Sequence, residues 1–379
     1  MALTNKLSAI GDAIREKTGK TELLTLDQMP VEIKAIETGG GELPEEALVI
    51  SGDCQYRFFN NGWNWFIDTY GNRITTENIS DADNMFASCE LSGKELPFVL
   101  NFDSSIDGIS MKNLFYQNSG NTCQLEKTPT IGTPGKIGDM DYMFSNCHYL
   151  KEVSDDFVNG IDWTYMDGLT SATKAKRIGM FEYCYSLRSC PVEFFRHGNP
   201  LSSNGYSIYY YTFRDCYSLD EIKFGFPHYN ATWTSNAFYR TFVKCYRLKN
   251  FTFDLQEDGT PYVMKWKNQI IDLSSNMGYG YGNATWLGDK AGKEIVDDAT
   301  YQAYKDDPDC YTKDANYSRY NHDSAVNTIN TLPDCSATGT NTIKFLGVSG
   351  ALTDGGAINT LTEEEIAVAT AKGWTVSFV

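Results

Sequence analysis

The sequence predicts an α/β repeat solenoid, with one short helical turn and one strand per unit, preceded by a small α-helical segment. Three observations predict it. An aromatic, a cysteine three residues on and a leucine three further recur along the middle of the chain. An alternating stretch follows the leucine, and the first 38 residues carry two apolar seams at helical spacing. At 379 residues the chain is longer than an ordinary compact domain, which favours a repetitive build.

The repeated unit reads MFASCEL from Met85, MFSNCHYL from Met143, MFEYCYSL from Met180, TFRDCYSL from Thr212 and TFVKCYRL from Thr241. A weaker copy, with residues inserted before its cysteine, lies at Leu114, Phe115, Cys123 and Leu125. Its core positions are Phe86 and Cys89; Phe144, Cys147 and Leu150; Phe181, Cys184 and Leu187; Phe213, Cys216 and Leu219; and Phe242, Cys245 and Leu248. The i, i+3, i+6 spacing lays each trio along one side of a helical turn, with the residues between them facing water. After the leucine, Leu219–Phe224 and Leu248–Phe253 alternate apolar with polar, as a strand with one buried face does. One such unit cannot cover its own Phe and Leu, so neighbours must stack, each large side chain contributing about 1.5 to 3 kcal/mol when buried. The cysteine then serves as a small apolar plug between units.

The two ends differ from the middle. Leu3, Leu7, Ile10 and Ile14 form one apolar seam, and Leu26, Met29, Ile33 and Ile36 a second, shorter one. So few residues cannot bury both seams, so residues 1–38 are expected to attach to a partner or a sister chain. Residues 39–48, opening on a run of glycine, read as a linker, 49–335 as the solenoid and 336–379 as a terminal repeat or cap. Within the cap, Thr362 and Glu365 form a capping box for a helix that Gly373 closes, and Trp374–Val379 alternates as a strand.

Composition narrows the function. A net charge of −17 offers no general attraction for nucleic acid or anionic membranes. No apolar run approaches the roughly 20 residues that cross a bilayer, and the charged N-terminus does not read as a signal peptide. The ten cysteines lack paired metal-ligand spacing and histidine partners, so free thiols are expected and no metal or cofactor is implied. The four histidines are scattered, and no phosphate loop or nucleophile motif appears. Adjacent acids such as Asp155 and Asp156 read as helix caps or solvated turns before they read as a glycosidase pair. The 24 tyrosines favour a recognition surface, because tyrosine offers a large amphipathic face with few rotors to freeze.

The FxxCxxL units resemble the BspA-type leucine-rich repeats. The opening LSAIGDAIREKTG, with LTLDQMPVEIKAI after it, is similar to the N-terminal segment of bacteriophage tail and baseplate-associated proteins. The closing stretch from YSRYNHDSAVNTINTLPD to EEEIAVATAKGWTV is similar to the ends of phage-encoded proteins with these repeats. The units here are longer and less regular than the usual pattern. The resemblance implies a leucine-rich-repeat-like solenoid on a virion tail, assembled in the host cytoplasm and touching the host surface, and it does not imply an enzyme.

On that reading residues 1–38 attach to other tail or baseplate proteins, and the solenoid displays Trp63, Trp65, Tyr206, Tyr209, Tyr210, Tyr211, Tyr279 and Tyr281 to a bacterial surface glycan or protein. The competing reading of these aromatics is that alternate members line the core. Two other functions stay open: a structural baseplate or decoration protein that contacts only virion proteins, and a depolymerase of surface glycan. The N-terminal seams and the family analogy lead to an expected homo-oligomer, with a trimer favoured.

Overall fold

The computed structural model describes residues 56–58, 65–68, 73–75, 78–87, 94–96, 99–117, 123–168, 177–197, 209–225, 238–245, 247–274, 294–295, 298–304, 307, 311–312, 317–318, 320–345, 352–353 and 361–379. The attachment segment with Leu3, Leu7, Ile10, Ile14, Leu26, Met29, Ile33 and Ile36 lies outside these residues. So do the linker and Trp63, Cys89, Tyr206, Tyr279 and Tyr281.

The first elements, β1 (Tyr56–Phe58), β2 (Trp65–Asp68) and β3 (Arg73–Thr75), form an antiparallel meander in the order β1-β2-β3. Among the described residues after it, every pairing between strands is parallel. β4 (Leu100–Asn101) pairs with β6 (Ile131–Thr133), and β5 (Asp107–Ser110) with β7 (Gly135–Asp139) and then β8 (Ile161–Asp162). Helix α1 (Asp155–Asn159) is capped by Ser154 and carries Asp155 and Asp156 in its first turn, and α2 (Thr164–Gly168) follows β8. β9 (Glu221–Phe224) pairs in register with β10 (Asn250–Phe253), burying Ile222, Phe224, Phe251 and Phe253 on one face. The alternation after Leu219 and Leu248 is thus a one-sided strand whose polar residues face out, whereas after Leu150 and Leu187 only isolated bridges form, at Glu152 and Ser189.

The F-x-x-C segments differ from the expected helical turn. Each is a string of tight turns in which the residue two before the phenylalanine has positive φ: Asn84, Asn113, Tyr142, Gly179, Tyr211 and Arg240. In four units the residue two after it does too: Asn146, Tyr183, Asp215 and Lys244. A backbone that visits the left-handed region at this interval cannot propagate an α-helix. Its N–H groups divide between two uses. Some close turns within the unit, as from Ser145 N to the Tyr142 carbonyl, 3.1 Å, and from Cys147 N to the Phe144 carbonyl, 3.0 Å. The others cross to the next unit: Tyr142, Phe144 and Asn146 donate to the carbonyls of Ile178, Met180 and Glu182 at 2.8 to 2.9 Å. The same three-bond pattern joins the Phe115 unit to the Phe144 unit and the Phe181 unit to the Phe213 unit. In the ladder after the leucines the sense reverses, with Lys151, Arg188, Asp220 and Lys249 donating back to Glu126, Lys151, Arg188 and Asp220.

Inside this framework the phenylalanines make one column. Phe86, Phe115, Phe144, Phe181, Phe213 and Phe242 stack with ring centroids 5.0 to 5.9 Å apart and interplanar angles of 2 to 17°. Leu150, Leu187, Leu219 and Leu248 are buried beside it. Beyond β10 come β11 (Ile270–Asp272), β12 (Glu294–Ile295), α3 (Asp298–Tyr304), β13 (Tyr311–Thr312), β14 (Tyr317–Ser318), α4 (His322–Thr331), β15 (Asn341–Phe345), β16 (Leu352–Thr353), α5 (Glu363–Ala371) and β17 (Trp374–Phe378). A parallel sheet in the order β11-β15-β17 closes the chain, and β12-β13 and β14-β16 form parallel pairs. Both arms of the Thr362–Glu365 capping box are made, and Gly373 takes φ +78° after α5. Trp374 is buried edge-on to Trp266, 6.3 Å between centroids, and its indole N–H donates to the Pro333 carbonyl. One hydrophobic cluster runs from Ile79 to Trp374.

Candidate ligand-binding face

The turn column that stacks phenylalanines inward also sets residues in register outward. The residues around the phenylalanines of the later units include Glu182 and Tyr183, Tyr211, Arg214 and Asp215, and Arg240 and Lys244. Across the units of Phe181, Phe213 and Phe242 they form a chain of rings and cations. The Arg214 guanidinium lies 5.3 Å from the Tyr183 ring centre and 4.4 Å from that of Tyr211. Arg240 lies 6.0 Å from Tyr211 and 5.2 Å from Tyr239, and its Nη1 donates to the Tyr211 hydroxyl at 2.8 Å. Tyr210 stacks on Tyr239 at 5.7 Å and 13°, and meets Tyr211 at 3.9 Å. Tyr239 stays 46% exposed. Cation–π attraction between these guanidinium groups and ring faces favours this interleaved arrangement.

Charges beneath this face fix it further. Arg214 pairs with Glu182 at 2.9 Å and with Asp215 at 3.2 Å, and Lys244 pairs with Asp215 at 3.0 Å. Asp215 is buried and accepts from the Tyr217 hydroxyl at 2.9 Å. Burial pushes the Glu182 carboxyl up, against the pull of Arg214. A hydrogen bond between Tyr210 and Tyr211, helped by Arg240, holds the Tyr211 hydroxyl below its ordinary value; burial and that same bond push Tyr210 up to about 12. A second row lies beside the first: His148 against Tyr185 at 4.1 Å, and Tyr185 stacked on Tyr217 at 4.8 Å.

Tyr210 and Tyr211, both expected as contact residues, are half-buried members of this face. Tyr209 is not. It is fully buried four residues before Phe213, packed on Phe195, Phe224 and Phe238, with its hydroxyl against Arg177. That interior column holds Ala82, Met111, Met140, Arg177, Tyr209 and Phe238, all buried. Aligning the units on phenylalanine and reading four positions back marks Tyr209 as core. Trp65 pairs with Thr75 in the meander β2-β3, at a distance in sequence from the turn column. The sequence reading missed Tyr183, Tyr239, Arg214 and Arg240, because each partner comes from a neighbouring unit and only the inter-unit register brings them together.

The motif cysteines carry no chemistry of this kind. Cys123, Cys147, Cys184, Cys216 and Cys245 are free and buried. Burial pushes the thiols of Cys147, Cys184, Cys216 and Cys245 well up. The last four have a partner that a plain apolar plug would not need: each Sγ donates to the phenylalanine carbonyl of the preceding unit, Phe115, Phe144, Phe181 and Phe213, at 3.1 to 3.3 Å. Among the described residues no group of three His, Cys, Asp or Glu comes together as metal ligands, and no helix is long and apolar enough to cross a membrane.

A second polar cluster joins units elsewhere. His197 stacks on Trp163 at 4.9 Å and reaches Asp167 at 2.9 Å and Glu193 at 3.1 Å; Arg196 bridges Glu193 to Asp254, which also holds Lys223. Its groups satisfy one another, which suits a structural clamp. A shallow cleft of about 150 Å³ lies between Arg188, Ser218, Asp220 and Arg247. No family model, no curated protein and no solved structure matches this chain.

Proposed function

We propose that the units form one leucine-rich-repeat-like solenoid and that the chain is a non-catalytic recognition protein of a bacteriophage tail. In this reading it is assembled in the host cytoplasm, joins other tail or baseplate proteins through residues 1–38, and binds a surface molecule of the host bacterium. The observation that carries the recognition role is the face built from Tyr183, Tyr210, Tyr211 and Tyr239 interleaved with Arg214 and Arg240. Rigid amphipathic rings held in place before contact lose little entropy on binding, and the ring faces and hydroxyls suit the C–H and O–H faces of sugars. The resemblance of the two ends to phage tail proteins supplies the setting. The proposal extends to a homo-oligomer, with a trimer favoured.

The test is binding of purified full chain to intact bacteria from a panel of strains. A strain that binds it should lose about tenfold affinity for the double variant Tyr210→Ala, Tyr239→Ala, two aromatic contacts of about 0.7 kcal/mol each. Binding to no strain, or full binding by that variant, overturns the reading. Release of new reducing ends from the bound strain's polysaccharide would convert the binding protein into a depolymerase.

A further inference from the structure

We infer that the tyrosine face takes an acidic glycan, one that carries carboxylate or phosphodiester groups, and that Arg240 is the residue that meets the charge. The inference rests on the reading above that this face binds a host glycan, and it names the class.

The cations of the face are not equivalent. Arg214 and Lys244 are neutralised by Glu182 and Asp215. Arg240 meets only phenols among the described residues: the Tyr211 hydroxyl at 2.8 Å, the Tyr210 hydroxyl and the Tyr239 ring. A guanidinium has five N–H donors in a fixed fork that fits a carboxylate or phosphate two at a time, and phenols use only part of that capacity. In a chain of net charge −17, carboxylates are plentiful, and both other cations of this face hold one. An anion reaching Arg240 displaces no internal ion pair, whereas one reaching Arg214 or Lys244 must compete with Asp215.

The surroundings say what the anion is attached to. Arg240 sits between Tyr211 and Tyr239, and Tyr239 in turn is stacked on Tyr210. A saccharide can rest on the exposed part of Tyr239 while its acidic group takes the fork of Arg240. A neutral glycan would use the rings alone. A free inorganic anion would use the arginine alone, with no need for the tyrosines.

The experiment measures affinity of the full chain, by calorimetry, for polygalacturonate, poly(glycerol phosphate) and dextran at low and high salt. The expected result is that at least one acidic polymer binds about tenfold more tightly than dextran, with a margin that shrinks as salt rises. Arg240→Gln should remove that margin, Arg240→Lys should restore part of it, and Tyr239→Ala should weaken all three polymers. Unchanged melting temperatures show that the variants are folded. Which acidic polymer binds separates carboxylate from phosphodiester. Dextran bound as tightly as the acidic polymers, with no effect of Arg240→Gln, overturns the inference and leaves the glycan reading standing. No polymer bound, together with cell binding that protease treatment abolishes, overturns both and makes the partner a surface protein.

Discussion

At the scale of single residues, the motif cysteine has a use that its spacing does not announce. Its position as a buried small residue was legible from FxxCxxL; its bond to the previous unit's phenylalanine carbonyl was not, because a thiol donor and an inert plug look alike in sequence. Cys216→Ala removes the bond to Phe181 and some packing, so a loss of about 1 to 2 kcal/mol is expected in urea unfolding. The thiols also make stability depend on pH. Burial keeps Cys147, Cys184, Cys216 and Cys245 protonated in the folded chain, while unfolded thiols ionise near 9.0. Their contribution is therefore intact below that pH and lost as pH rises above it, when only the unfolded state gives up protons. Urea midpoints falling between pH 8 and 10, with the fall reduced in Cys216→Ala, would show it. His148 acts on the other side. Burial beside Tyr185 lowers its pKa from 6.5 to about 4, so the unfolded chain binds a proton that the folded chain refuses. Stability is full above about pH 6.5 and declines toward pH 4, by roughly 3 kcal/mol at most. His148→Gln should flatten that part of the pH profile relative to the parent, and an unchanged slope would remove His148 from the cause.

At the scale of elements, the turn column shows where pattern reading stops. Phenylalanine, cysteine and leucine positions, the strands after Leu219 and Leu248, and the capping box at Thr362 were all readable from spacing. The positive φ values were not. They fall on Asn84, Asn113, Tyr142, Tyr211 and Arg240, of which only asparagine favours the left-handed region, and only Gly179 offers the usual glycine signal. The i, i+3 spacing is shared by an α-helix and by consecutive tight turns, so periodicity alone could not separate them. Gly179 is also closely packed against the neighbouring unit. A Cβ there would lie 2.5 Å from the Tyr142 ring, at φ +58°. Gly179→Ala should cost about 2 to 3 kcal/mol by thermal or urea unfolding, from the strained backbone and the crowding together. In a Tyr142→Ala background the crowding is gone and about 1 kcal/mol should remain. Equal costs in both backgrounds would show that the ring is not the obstacle. Thr362→Ala, which breaks the capping box of α5, should cost about 1 kcal/mol.

At the scale of the whole molecule, the phenylalanine column and the parallel ladders make each unit the floor of the next, and the core continues through Trp266 to Trp374. Tyrosine abundance was visible in composition, but the tyrosine–arginine face was not, because its members are up to 57 residues apart, from Tyr183 to Arg240, and meet only through inter-unit register. The N-terminal seams bear on assembly. Sedimentation of the full chain should give an oligomer, a trimer in the favoured case, and a chain lacking residues 1–38 should give a monomer. Two monomers would show that the seams of Leu3 to Ile14 and Leu26 to Ile36 do not assemble this chain.

The one-way sense of the turn bonds has a further effect. Because alternate N–H groups of each turn donate to carbonyls of the following unit, the peptide dipoles along this face point the same way instead of cancelling as they do across most sheets. Their positive pole falls at the final turn, which carries Arg240 and Lys244. The N–H end of this row of dipoles and the Arg240 side chain therefore share one turn, an arrangement that favours an anion there over the opposite end of the row.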